Sequence, residues 1–307
     1  MNTKIKVVGV GGSGGNALSR MMKAKIRGVE LIAINADAQD LAKSLSHKKI
    51  RIGKELTKGL GTGMNPEIGR QAAEEQREDI EKEIEGADLV FITCGLGGGC
   101  GSGAAPIVAE IAKKKGALTI AVVTKPFSFE GIQRMEIAER ALKELKTRVD
   151  TLISVSNDKL LSFLDNRTTL SEAFWLCDET LRQAVQGISD LIVLPGIINI
   201  DFADIKAIIK DSGSAFFGIG KAKGEERAKE AARRALNLPL SDVSCKGAKG
   251  VLFNVSGNKD ISLSEIDEVA KIITQEVSPE ARIVFGAIQD EKLKKGEIKV
   301  TVMITGF

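Results

Sequence analysis

The chain has 307 residues, 43% hydrophobic and 28% charged, which is enough ordinary globular sequence for two domains with well-formed cores. Forty-four basic against 41 acidic residues leave a net charge of +3, too even a balance for nucleic acid or an anionic membrane to be the main partner. A single histidine, His47, and four cysteines without a CxxC pair argue against a His-based triad or a His-rich metal site, and predict free thiols in a reducing, cytoplasmic compartment.

The first element, KIKVVGV (4–10), is a short β-branched strand, not a signal peptide, and no apolar run reaches the length of a membrane-spanning helix. GGSGGNALSRMMKAK (11–25) then reads as a glycine turn running into a helix, and VELIAINAD (29–37) as a second strand, completing a βαβ unit. Gly9, Gly11 and Gly14 fit GxGxxG, and Asp37 could serve as the acid that holds a ribose. Alone, that pattern is weak, because a tight strand–helix turn needs glycine for packing too.

A second glycine turn, GLGTG (59–63), precedes Asn65 and Pro66, an N-cap and first-turn proline for one helix over 66–86. The strand DLVFITC (88–94) leads into GLGGGCGSG (95–103), with a helix from AAPIVAEIAKKKG. Glycine and serine also make flexible linkers, but this run is clamped between two apolar elements. A glycine-rich turn at a helix N-terminus offers backbone N–H groups and a positive dipole end to phosphate. Three such turns, near residues 11, 61 and 97, suit an extended polyphosphate. There is no GxxxxGK[ST], so the chain is not a P-loop protein.

The order continues as strand (117–125), loop PFSFEG (126–131), helix (133–146) and strand (149–157), the alternation of a doubly wound parallel sheet. Glu130 and Arg134 make either a surface i,i+4 pair or, being at the strand C-terminal ends, part of a ligand site. A long helix over 171–194 opens with the capping box Thr169/Glu172 and carries an apolar stripe of Phe174, Cys177, Leu181, Val185 and Ile188. Pro195 ends it at a candidate domain boundary.

Beyond it, Asp201 and Asp204 stand where a new helix begins; their spacing alone fits helix-start chemistry. The remainder predicts a smaller α/β domain: strands SAFFGIGKA, GVLFNVSG, ARIVFGAI and EIKVTVMITGF, and helices EERAKEAARRALN and SLSEIDEVAKIITQEV, the second capped by Ser262 and Glu265. The last two strands are expected to pair as neighbours.

GLGGGCGSGAAP is similar to the tubulin-superfamily signature. GVGGSGGNAL, AINADAQDL, GLGTGMNPEIG, VVTKPFSFEG, VSNDKLL, LRQAVQGISDLI and INIDFADIKAI resemble, in order and spacing, the FtsZ family of bacterial and archaeal tubulin homologues. The match runs from about residue 4 to 307. Cys100 departs from the family's usual threonine and Ser13 from an all-glycine turn. The chain stops at MITGF, where the family normally continues into a linker and an adaptor-binding tail.

The resemblance implies a Rossmann-like doubly wound GTP-binding domain (1–168), a central linking helix (169–194) and a C-terminal α/β domain with a four-stranded sheet (195–307). It implies that GTP or GDP phosphates are held by Gly11, Gly12, Ser13, Gly14, Gly15 and Asn16, by Thr62, Gly63 and Met64, and by Gly98, Gly99, Cys100 and Gly101. Mg²⁺ would ride on the phosphates, with no metal site of protein ligands. Glu130 and Arg134 would meet the ribose and phosphate region, Asn157 and Asp178 the guanine edge, and Phe174 the ring. A carboxylate facing the N1 and N2 donors of guanine selects against adenine. Asp201, Asp204 and Asn199 would belong to a loop that enters the next subunit of a head-to-tail polymer and positions the attacking water. Expected partners are the chain itself and division adaptors, reached through the tail, at the mid-cell division site, with no nucleic acid and no direct membrane binding. A Rossmann oxidoreductase and a nucleotide-binding scaffold without turnover are the alternatives. Beside phosphate and a helix N-terminus, the Cys100 thiol is expected to be more reactive than its neighbours.

Overall fold

A computed structural model of the chain describes residues 3–161, 168–237 and 245–307, so the end of the expected GTP-binding domain, residues 162–167, lies outside the described residues. The chain divides into two compact units, Met1–Ser189 and Asp190–Phe307.

The first unit runs β1 (Ile5–Val10), α1 (Gly11–Lys23), β2 (Val29–Asn35), α2 (Ala38–Lys43), β3 (Lys48–Arg51), α3 (Pro66–Glu75), α4 (Arg77–Ile84), β4 (Leu89–Gly95), α5 (Gly99–Lys114), β5 (Leu118–Lys125), a 3₁₀ turn (Ser128–Glu130), α6 (Ile132–Arg148), β6 (Thr151–Ser156), α7 (Asn157–Leu161) and α8 (Leu170–Val193), whose last residues enter the second unit. Its strands are parallel, in the order β3-β2-β1-β4-β5-β6. Strands β4 and β5 are buried almost throughout, as expected of central strands covered on both faces. Thr169 and Glu172 close the capping box that opens α8.

One feature of this unit differs from the sequence reading. The single helix expected over 66–86 is two, because Gln76 leaves helical geometry (φ −107°, ψ 26°) and its side-chain carbonyl accepts from the Gly53 amide. The acidic helix is thereby broken where a neighbouring turn needs an acceptor. Contact between α3 and α5 is backbone to backbone: a Cβ on Gly103 would lie 1.9 Å from the Pro66 carbonyl, and one on Gly69 2.2 Å from that of Gly99.

The second unit comprises α9 (Phe202–Ile209), β7 (Gly213–Lys223), α10 (Arg227–Asn237), β8 (Gly250–Gly257), α11 (Leu263–Thr274), β9 (Arg282–Gln289) and β10 (Glu297–Thr305). The four strands lie in the order β7-β10-β8-β9. The expectation that the last two strands pair is wrong. β10 runs antiparallel between β7 and β8, while β9 is parallel to β8. With α11 as the crossover, β8-α11-β9 is a βαβ unit and needs β9 beside β8, so β10 takes the other side. Phe253, Val255, Val269, Ile273, Val300 and Val302 form part of its core.

Candidate functional site

The helices that follow β1 and β4 start without a side-chain cap. Val10 precedes α1 and Gly98 precedes α5, neither supplies a capping hydrogen bond, and neither helix has an acidic residue in its first turn. Their first N–H groups and positive dipole ends are therefore open to an anion. The two starts touch, since a Cβ on Gly11 would lie 3.2 Å from the Gly101 amide nitrogen. The turn at 59–63 joins them: a Cβ on Gly99 would lie 2.4 Å from Thr62 Oγ1. The three glycine turns thus line one cavity of about 540 Å³ in the first unit.

The glycines divide by cause. Gly99, Gly101 and Gly103 are required by neighbouring backbone or side chains, and Gly9 and Gly14 by each other and by Leu18 and the Thr93 carbonyl. Gly98 alone in the run 98–103 has nothing within 4 Å of an added Cβ, so it is the one that leaves the cavity wall clear. Of the expected phosphate residues, Gly11, Gly12, Ser13, Asn16, Thr62, Gly63, Gly98, Gly99, Cys100 and Gly101 line the cavity. Gly14 lies beneath it, Gly15 lines a smaller neighbouring pocket, and Met64 is a half-exposed turn residue at φ 63°.

Asn157, Phe174, Cys177 and Asp178 line the same cavity. Asn157 is 5% exposed and its Oδ1 has no hydrogen-bond partner, a buried acceptor left unsatisfied on a residue of the cavity lining. Phe174, expected in the buried stripe of α8, is 41% exposed and meets Phe127 edge to face at 5.4 Å. Cys177, Leu181, Val185 and Ile188 are buried as expected. Asp178 is 7% exposed. Burial pushes its carboxyl up to about 6, against the opposing pull of Arg20 and a hydrogen bond from Ser13. Arg20 was not legible as a site residue: a lone arginine late in an amphipathic helix reads as solvated surface.

Glu130 and Arg134 also line the cavity. Arg134 donates to Glu130 Oε2 at 2.6 Å, and the Phe127 amide donates to Oε1 at 2.9 Å. The pair is thus both a loop lock and a cavity wall. Asp37, the sequence candidate for a ribose acid, is spent as the N-cap of α2, accepting from the Asp40 amide at 2.9 Å. With Gly9 and Gly14 explained by packing, the dinucleotide fingerprint loses its basis. The surroundings of Cys100 work against the reactivity expected of it. Burial pushes the thiol up to about 11, and Asp40 and Asp37 add to the rise, outweighing hydrogen bonds from the Ala36 and Gly11 backbone. All four cysteines are free.

In the second unit, Asp201 precedes α9 as its N-cap residue but makes no side-chain cap bond, so the helix-start reading does not account for its carboxylate. Asp204 in the first turn pairs with Arg282 instead. Asn199 Oδ1 accepts from the Gly196 amide at 2.7 Å, bracing the loop that leads into Asp201 and the first turn of α9. Among the described residues no group of three or more His, Cys, Asp or Glu is placed to hold a metal ion, and no described helix is long and apolar enough to cross a membrane.

Residues 4–165 match the Tubulin/FtsZ family, GTPase domain, and residues 213–307 the FtsZ family, C-terminal domain. The chain is similar to cell division protein FtsZ 1 of Thermococcus kodakarensis, 52% identical over 306 residues that cover 100% of this chain and 81% of that protein. Among solved structures it is similar to an FtsZ dimer of M. jannaschii, with a TM-score of 0.95 and 48% identity over 100% of this chain and 89% of that one. It is also similar to CetZ2 of Haloferax volcanii in a GTPγS-bound protofilament, with a TM-score of 0.83 and 22% identity over 98% and 92% of the two chains; at that identity the likeness is one of fold.

Proposed function

The chain belongs to the tubulin/FtsZ family of GTPases, and on that footing we propose that its cavity binds GTP, that copies assemble head to tail, and that hydrolysis follows assembly in cell division. It is a GTP-hydrolysing cytoskeletal protein, which removes the oxidoreductase and the scaffold without turnover.

The observation that carries the assignment of the cavity is the pair of features its lining brings together. Two helix starts without a side-chain cap share it with the buried Asn157 and Asp178. An anion suits the helix starts and the hydrogen-bonding edge of a base suits the buried polar pair. In this reading the phosphates lie on the first turns of α1 and α5 and on Thr62, Gly63 and Met64. Glu130 and Arg134 flank the ribose. Phe174 covers the ring, and Asp178 accepts from the N1 and N2 donors of guanine.

Mg²⁺ would supply charge neutralisation on the phosphates. Of the cavity carboxylates, Asp37 accepts from the Asp40 amide, Asp40 from Asn35 and Glu130 from Arg134, and among the described residues no cluster of three or more is placed to hold a metal ion, so the ion would be carried mainly by the phosphates. The exposed Asp201 carboxylate and Asp204, which follow a loop braced by Asn199, would enter the cavity of the next subunit. There they accept hydrogen bonds from the attacking water and orient it in line with the terminal phosphoryl group. Residues 169–194 would link the two parts, and adaptors would place the polymer at mid-cell.

The test combines phosphate release with light scattering on the purified chain. GTP should give both signals, and ATP neither. Equal competition by ATP and GTP for the site would sink the guanine assignment.

A further inference from the structure

Arg20 lies outside the glycine turns, yet its guanidinium reaches Asp178 of the cavity lining. Its Nε and Nη2 both stand 3.4 Å from Asp178 Oδ2, and its Cζ is 5.1 Å from the centroid of the Trp175 ring. Asp178 and Trp175 are three residues apart on α8 and so share a face. The aromatic ring holds the guanidinium by a cation–π contact while the carboxylate takes its charge. We infer that Arg20 is a positioning residue for base recognition, holding the Asp178 carboxylate as an oriented anion so that guanine selectivity depends on α1 as well as α8. This rests on the assignment of Asp178 to the guanine edge.

The physical need for such a partner is plain. A carboxylate buried without a cation takes up a proton. The protonated group is a donor, so it opposes the N1–H of guanine and suits the N1 acceptor of adenine. Losing the charge would both weaken guanine and admit adenine. Arg20 and Ser13 face Asp178 from α1. On α8 its neighbours are Cys177, whose thiol burial holds near 12, and Glu179, kept ionised chiefly by hydrogen bonds from Arg182 and Gln183 against burial. Glu130, whose charge reaches Cys177, is itself paired with Arg134. None of these pairs supplies another cation to Asp178, whose carboxyl is the one held near 6.

The experiment measures binding of a fluorescent GDP to the full chain across pH, with ADP as competitor, for wild type, Arg20→Ala and Arg20→Lys. A cation within a few ångströms moves a carboxyl by about 1–3 pH units. Arg20→Ala should therefore lose about threefold or more in GDP affinity near pH 6.5, recover most of that loss near pH 8.5, and discriminate less against ADP at the lower pH. Arg20→Lys should restore most of the affinity. The chain's single tryptophan is Trp175, so its fluorescence reports directly whether the contact is gone. A loss equal at every pH, or no loss, would overturn the inference while leaving the site assignment standing. A wild type that binds ADP as well as GDP would instead overturn the assignment of Asp178.

Discussion

Asp204 and Arg282 form an exposed ion pair, Nη2 donating to Oδ1 at 2.9 Å with both side chains about half exposed. Exposed pairs of this kind are worth about 0–1 kcal/mol, so the contact orients Asp204 more than it stabilises the unit. Arg282→Ala should shift unfolding by no more than about 1 kcal/mol and slow GTP turnover only a few-fold. Asp204→Ala should still bind GTP and sediment as polymer but release phosphate at least ~100-fold more slowly. Parallel sedimentation and phosphate assays separate the two. An Asp204→Ala protein that hydrolyses at the wild-type rate would remove the residue from the mechanism.

The glycines of α5 should respond to substitution according to what surrounds them. Gly98 has open space where a Cβ would go and a negative φ of −98°, so Gly98→Ala should fold and melt like wild type while losing nucleotide affinity. Gly103→Ala puts a carbon 1.9 Å from the Pro66 carbonyl and must push α3 and α5 apart, at about 1–3 kcal/mol or more. Thermal melts with and without GDP give both numbers. Equal melting temperatures for the two variants would contradict the packing geometry.

Cys100 should be a slow thiol. With burial holding it near 11, the thiolate fraction near neutral pH is about 100-fold or more below that of an ordinary cysteine at about 8.5. Alkylation should be correspondingly slow and accelerate only as pH climbs toward that value, and GDP should slow it further. Cys100→Thr should keep GDP binding, because the backbone N–H groups of the turn do most of the phosphate work. Fast labelling near neutral pH, indifferent to GDP, would place the thiol outside the cavity wall.

What the sequence disclosed and what it hid follow from range. The three glycine turns, the capping boxes at Thr169 and Ser262 and the α8 stripe from Cys177 onward are local patterns and are legible in the sequence; Phe174 at the head of the stripe is exposed, where its ring meets Phe127. Why Gly99 and Gly103 are glycine was not legible, because the cause lies on Thr62, Asn65 and Pro66 some forty residues earlier. The break at Gln76 was hidden for the same reason: its acceptor serves Gly53 on another segment. The pairing of β10 with β7 and β8 was missed because adjacency in sequence is only a tendency and the α11 crossover claims the place beside β8. Arg20 and Asp178 are 158 residues apart, and neither one's neighbours in sequence hint at the other.

Hydrolysis should depend on protein concentration through a threshold. The cavity is lined wholly by residues of the first unit, while Asp201 and Asp204 belong to the second and stand exposed or half-exposed at the start of α9. If the neighbouring copy supplies them, each active site needs two chains, and a head-to-tail contact that repeats without closing gives an open filament. Phosphate release per chain should then be near zero below a critical concentration and rise above it. A mixing experiment isolates the direction of the contact. Asp204→Ala subunits keep a working cavity, and subunits with a disabled cavity keep Asp204. Each alone should be nearly silent, and a mixture should recover turnover at the shared interfaces, provided the disabled subunits still join the filament, which sedimentation checks. Rates strictly proportional to concentration, with no lag and no gain on mixing, would mean a complete site within one chain, and Asp201 and Asp204 would lose their part in the neighbour's chemistry.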